Sequence, residues 1–177
     1  DRPVRRRPGF DGSSAQAQRL GDPALSSVAV PFAGSARFWS RDVVGGLARF
    51  LEAAERIDET DDPDLQAAMC TAPSFGFVPV GPLAEGLAWC DRGIEVCAGD
   101  PERGAALLGY SVLARIHQFR AAVRARMGRL SEATADVDQA LALLRPRDEP
   151  ESLSWALAMR PLLAWLSGDA TDTSPAT

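Results

Sequence analysis

Four times along this chain an acidic residue stands directly before a proline: Asp22-Pro23, Asp62-Pro63, Asp100-Pro101 and Glu149-Pro150. A carboxylate at a helix N-cap accepts backbone N–H groups that have no partner in the first turn, and proline suits the first helical position. Each pair is therefore expected to open a helix. The pairs lie 40, 38 and 49 residues apart. A pattern recurring at such a period constrains the fold before any local motif does.

Hydrophobic periodicity fills the intervals. Leu25, Val28, Ala29, Phe32, Ala36 and Trp39 follow a helical period, with Pro31 expected to kink it. After a polar turn at Ser40-Arg41-Asp42, the residues Val44, Leu47, Leu51, Ala54 and Ile57 predict one apolar stripe of a second helix. The acidic run from Asp58 to Asp62 reads as a solvated loop, without the ligand spacing of a calcium loop. A third helix is expected from Pro63 to about Ser74, broken or kinked near its end, where Pro73 and Pro79 bracket residues 74–78. After Gly81-Pro82, residues 83–97 are amphipathic. A short helix is expected from Pro101 to Leu108, ending at Gly109. Longer ones follow over 111–127, with Val112, Ile116, Phe119 and Val123 inward, and over 131–144, with Ala133, Val137, Ala140, Leu141 and Leu144 inward. The last runs from Glu149-Pro150 through Trp155, Leu162 and Trp165 to Gly168. Nothing reads as strand, so the expected fold class is all-α, built of antiparallel helix pairs.

The turns sharpen the repeat. Arg41-Asp42, Gly81-Pro82, Gly128-Arg129 and Gly168-Asp169 fall 40, 47 and 40 residues apart. Five residues after the first three turns stand Gly46, Gly86 and Ala133. Nine after stand Phe50, Cys90 and Val137, and twelve after stand Ala53, Gly93 and Ala140. Seven before the turns stand Gly34, Ser74 and Ala121.

This arrangement resembles the tetratricopeptide repeat, in which small residues on each helix of a pair let the two approach closely. The best match runs from Met127-Gly128-Arg129 through Ala140-Leu141. In the first unit Arg41 stands where glycine is usual, and the second unit carries prolines in its first helix. The resemblance implies a right-handed α-solenoid of about three and a half units over residues 21–169. Residues 1–20 are expected to be a disordered or weakly helical tail and 170–177 a disordered one. Such arrays occur in the C-terminal regions of large bacterial signalling ATPase/cyclase proteins and LuxR-type regulators. By the same analogy Arg115, Gln118 and Arg126 would face a concave groove that takes an acidic peptide or a neighbouring domain.

Composition narrows the function classes. A net charge of −5 argues against direct nucleic-acid binding. The basic run Arg5-Arg6-Arg7 reads as part of a solvated tail rather than as an anchor for an acidic partner. All 19 basic side chains are arginine. With no lysine there is no P-loop lysine and no lysine for a Schiff base. Cys70, Cys90 and Cys97 form no C-x-x-C, read as core thiols, and fit a reducing, cytoplasmic compartment. No apolar run approaches the roughly 20 residues that span a bilayer, and no secretory signal is visible. The chain begins at Asp1 rather than Met, which leads to the expectation of a fragment or a processed product.

The single histidine, His117, has no histidine or cysteine partner at metal-binding spacing and reads as a surface or groove residue. Arg115, Arg120, Arg124 and Arg126 give one helix a basic side, read as solvated and balanced by Glu132 and Asp136. Trp39, Trp89 and Trp155 are expected in the core. On the last helix Leu162, Trp165 or Leu166 is expected to be partly exposed, and covered by a parent chain or a dimer partner. The expected function is a non-catalytic protein–protein interaction module or scaffold, with no catalytic, cofactor or metal residue assigned, no cofactor and no membrane contact. The competing class is a small all-α ligand-binding domain or enzyme with an unrecognised pocket.

Overall fold

A computed structural model describes residues 34–168, and the pair Asp22-Pro23 and the kink at Pro31 lie outside them. Among the described residues every regular element is helical. The chain divides into two compact units, one up to Asp61 and one from Asp62.

In the first unit residues 34–39 are helical, and α1 spans Val43–Ala54. Asp42 caps α1, its carboxylate accepting from the Gly45 N–H at 3.0 Å. Arg41 holds a φ of +71°, the left-handed conformation that glycine adopts without cost. Gly34, Phe38, Gly46, Leu47, Phe50, Ala53, Ala54 and Ile57 are buried. The buried stripe of α1 thus turns away from Val44, which is exposed. Trp39 is exposed as well, its ring set edge-on to Phe38.

The second unit contains α2 (Pro63–Val80), α3 (Leu83–Cys97), a single turn α4 (Ala105–Leu108), α5 (Val112–Arg126), α6 (Leu130–Leu144) and α7 (Pro150–Ser167). Asp62 caps α2 as the sequence predicts, accepting from the N–H groups of Asp64 and Leu65, with Pro63 at the first helical position. Helix α2 then runs without a break through Pro73 and Pro79 to Val80, past the end expected near Ser74. Proline in a helix interior costs about 3 kcal/mol, which burial must offset. Pro73 is almost wholly enclosed, Ser74 and Phe77 beside it are buried, and Ser74 Oγ donates to the Cys70 carbonyl at 2.8 Å.

Asp100-Pro101 opens a turn rather than a helix. The Asp100 carboxylate accepts the Glu102 N–H at 2.9 Å, and helical structure begins only after Gly104, whose φ is +71°. The cause is a tertiary bond: the Gly104 N–H donates to Asp64 Oδ1 on α2 at 2.8 Å, which anchors the turn. Glu149 departs further, since its carboxylate makes no cap bond with its own helix.

Helix α5 packs against α2, α3, α6 and α7, and α7 packs against α6 and α5. Ala114, Ala121, Ala133, Val137, Ala140, Leu141, Leu144, Ala156 and Leu163 form a continuous core across α5, α6 and α7. The inner face of α7 is Ser152, Ala156 and Leu163. Trp155 therefore points outward at 59% exposure, not into the core, and Trp89 is half-buried beneath the Arg92 guanidinium. Leu162, Trp165 and Leu166 are exposed, as the sequence predicts. No helix among the described residues is long and apolar enough to cross a membrane.

Candidate functional site

Helix α5 carries polar side chains that divide into two sets. At 3.6 residues per turn, His117, Arg120 and Arg124 share one face. That face meets α6, where Asp136 interrupts an otherwise apolar buried stripe and is only 1% exposed. Asp136 Oδ1 lies 3.1 Å from His117 Nδ1 and accepts from Arg120 Nε at 2.9 Å and Nη2 at 2.7 Å. Its Oδ2 accepts from Arg124 Nη1 at 2.7 Å. Arg120 also reaches Asp91 on α3 at 2.8 Å, and Arg124 reaches Glu132 at 3.5 Å.

Burial alone would push the Asp136 carboxyl upward. The hydrogen bonds from His117 and Arg120, with the charges of Arg120 and Arg124, outweigh it and hold the group below the ordinary carboxylate range. The charges alternate from Asp91 through Arg120, Asp136 and Arg124 to Glu132, binding α3, α5 and α6 together. His117 is correspondingly buried, not a surface residue. Asp136 and Glu132 balance Arg120 and Arg124, two of the four arginines for which the sequence predicts it; at Asp136 the balance is reached inside the protein, while the Glu132 side chain is 42% exposed. An acid within a buried alanine and valine stripe, opposite three cationic or imidazole side chains one turn apart, was the signal for this hub.

The second set faces α7. Arg115 Nη2 donates to Ser152 Oγ at 3.1 Å, and its guanidinium lies 4.8 Å from the Tyr110 ring centroid. Gln118 is buried, its amide donating to the Ser152 carbonyl at 2.8 Å. Gln118 therefore locks α5 to α7 and does not line an open groove, because the next helix occupies its face. Arg126, three turns from Arg115, is exposed. Within the described residues neither Arg115 nor Arg126 has an acidic partner, in contrast to Arg120 and Arg124.

Glu149 completes this end. Both its carboxylate oxygens accept the Ser111 N–H, and it pairs with Arg147, which also pairs with Glu102. The Glu149 carboxyl is pushed up by burial and pulled below its ordinary value by Arg147, Ser111 and Ser152.

All three cysteines are free and buried. Burial pushes the Cys90 thiol up to about 12 and the Cys97 thiol up to about 11, so neither is a nucleophile near neutrality. Among the described residues no group of three His, Cys, Asp or Glu side chains is placed to hold a metal ion.

Comparison with protein families, with curated proteins and with solved structures finds no match for this chain.

Proposed function

We propose that this chain is a tetratricopeptide-like, non-catalytic interaction module, belonging to a larger cytoplasmic bacterial signalling or transcription regulator. In this reading α2/α3 and α5/α6 are successive antiparallel helix pairs of a right-handed solenoid. Residues 34–54 are an earlier copy of the same unit, and α7 is the first helix of another.

One observation carries the reading. The small and apolar residues at fixed offsets from the turns are buried in all three units: Gly34, Gly46, Phe50 and Ala53; Ser74, Gly86, Cys90 and Gly93; Ala121, Ala133, Val137 and Ala140. The glycines among them sit at close approaches of neighbouring chain. A Cβ on Gly86 would lie 2.7 Å from Phe77 Cβ, and one on Gly46 would lie 2.9 Å from Phe38 Cβ. The turn residues Arg41, Gly81, Gly128 and Gly168 share positive φ values of 71° to 83°. Twelve buried positions at common offsets support one unit repeated, and repeat arrays act by presenting an extended surface.

The occupant proposed is an acidic segment of a protein partner or of a neighbouring domain. Arg115 and Arg126 supply the cationic positions, Arg115 being held in place by Ser152 and Tyr110. Selection of binders from a random peptide library tests it. Acidic peptides should enrich and bind saturably, and Arg115→Glu with Arg126→Glu should weaken them at least about tenfold. Absence of saturable binding, or binding indifferent to both reversals, would remove the groove.

A further inference from the structure

We infer that α7 is a lid: it opens as a unit from the rest of the second compact unit and uncovers the α5 face that carries Gln118. Three differences between α5 and α7, the helices that end at Gly128 and Gly168, carry the inference.

The first is a clasp used twice. Asp91 stands ten residues after Gly81 and Arg120 eight before Gly128, while Asp138 and Arg160 stand at the same offsets from Gly128 and Gly168. Both pairs close, Arg120 on Asp91 at 2.8 Å and Arg160 on Asp138 at 2.6 Å. Arg120 is also welded to the enclosed carboxylate of Asp136, which Arg124 shares. At α7, Ala164 takes the place of Arg124, and the Arg160 and Asp138 side chains are 48% and 54% exposed. An ion pair so open to water holds little.

The second difference is burial. Helix α5 buries eight of its fifteen residues, whereas α7 buries Ser152, Ala156 and Leu163 out of eighteen. Segments with few buried apolar contacts open below the free energy of global unfolding. The third is Pro161, which lies inside α7 and is exposed. It has no N–H to give the Leu157 carbonyl, and its ring crowds that turn. Pro73 in α2 gains packing from its enclosure, which an exposed proline does not. An 18-residue helix with an interior proline is not stable alone in water, so α7 melts as it undocks. The charge-assisted bond from Glu149 to Ser111 sits at its first turn and serves as the pivot. Opening breaks the contacts of Ser152 with Arg115 and Gln118, and bares the part of the core that Ala156 and Leu163 close.

Native-state amide exchange of the intact chain, over a series of low urea concentrations, tests the inference. Amides of residues 156–164 should share one opening, at least about tenfold less protected than those of residues 133–144 and less sensitive to urea. Pro161→Ala should raise α7 protection at least about tenfold. Gly86→Ala, which loosens α2 and α3, should lower protection in those helices and leave that of α7 unchanged. Equal protection of α6 and α7 overturns the inference, as does a Gly86→Ala effect passed on in full to α7. An α7 indifferent to Pro161→Ala also overturns it. So does fast exchange confined to residues 165–168, which is fraying of the last turn. No peptide enters the assay, so its outcome is independent of the acidic-segment reading.

Discussion

Glu149 accepts the Ser111 backbone N–H at 3.0 Å on each of its two carboxylate oxygens, across 38 residues of sequence. Ser111 is itself the N-cap of α5: its Oγ accepts from the Ala114 N–H and donates to the Pro101 carbonyl. The residue that begins α7 thus fixes the residue that begins α5. The bond is charge-assisted and largely enclosed, which makes it stronger than a neutral one.

Glu149→Gln should lower the unfolding free energy by about 1–3 kcal/mol. Urea denaturation reads the loss, and the Ser111 amide should exchange faster with solvent. Unchanged stability and exchange would show that the bond contributes nothing net.

Asp136→Asn should cost about 3 kcal/mol, because it leaves Arg120 and Arg124 enclosed without their shared counter-charge. The Arg120 and Arg124 side chains are 17% and 16% exposed, too little for water to replace the carboxylate fully. The loss should exceed that of Asp138→Asn, whose partner Arg160 is half-exposed.

Acid should weaken the fold through these same groups. Asp136 and Glu149 both have carboxyls depressed by folding. Such groups contribute stability that is present above the unfolded value and is lost as pH falls through the folded one. Stability should therefore be flat above roughly pH 5 and decline below the ordinary glutamate value of 4.5. Denaturant midpoints measured from pH 6 to pH 3 check this, and Glu149→Gln should flatten the decline.

Gly86→Ala should destabilise by about 1–3 kcal/mol from overpacking, although alanine is the better helix former by about 1 kcal/mol. The added methyl meets Phe77 Cβ at 2.7 Å, an atom fixed to its backbone. Thermal unfolding with a raised midpoint would contradict the close approach of α2 and α3.

Arg41→Gly should stabilise the first unit by about 1 kcal/mol, by relieving a side chain held at positive φ. Calorimetry measures the gain. A loss would mean that Arg41 makes contacts worth more than its backbone strain.

Much of the architecture is legible along the chain because its causes are local. The Asp62 cap, the α3, α5 and α6 stripes and the Gly109 and Gly128 stops depend on residues within one or two turns. The site is less legible. Arg120, Arg124 and Asp136 can be matched by sign from the sequence, but whether they meet in water or inside the protein depends on how closely α5 and α6 pack. Analogy places Gln118 in a groove, whereas it is buried and bonded to the Ser152 carbonyl of α7.

The sequence by itself determined that the chain is helical, where its turns fall and which small residues recur beside them, since periodicity and backbone conformational demands act over a few residues. Only the tertiary structure decided that Pro73 stays within a helix, that Glu149 serves α5, that Asp136 and His117 are enclosed, and that Trp155 faces water. Each of those outcomes depends on burial and partners supplied from distant parts of the chain, where packing energy outweighs local propensity.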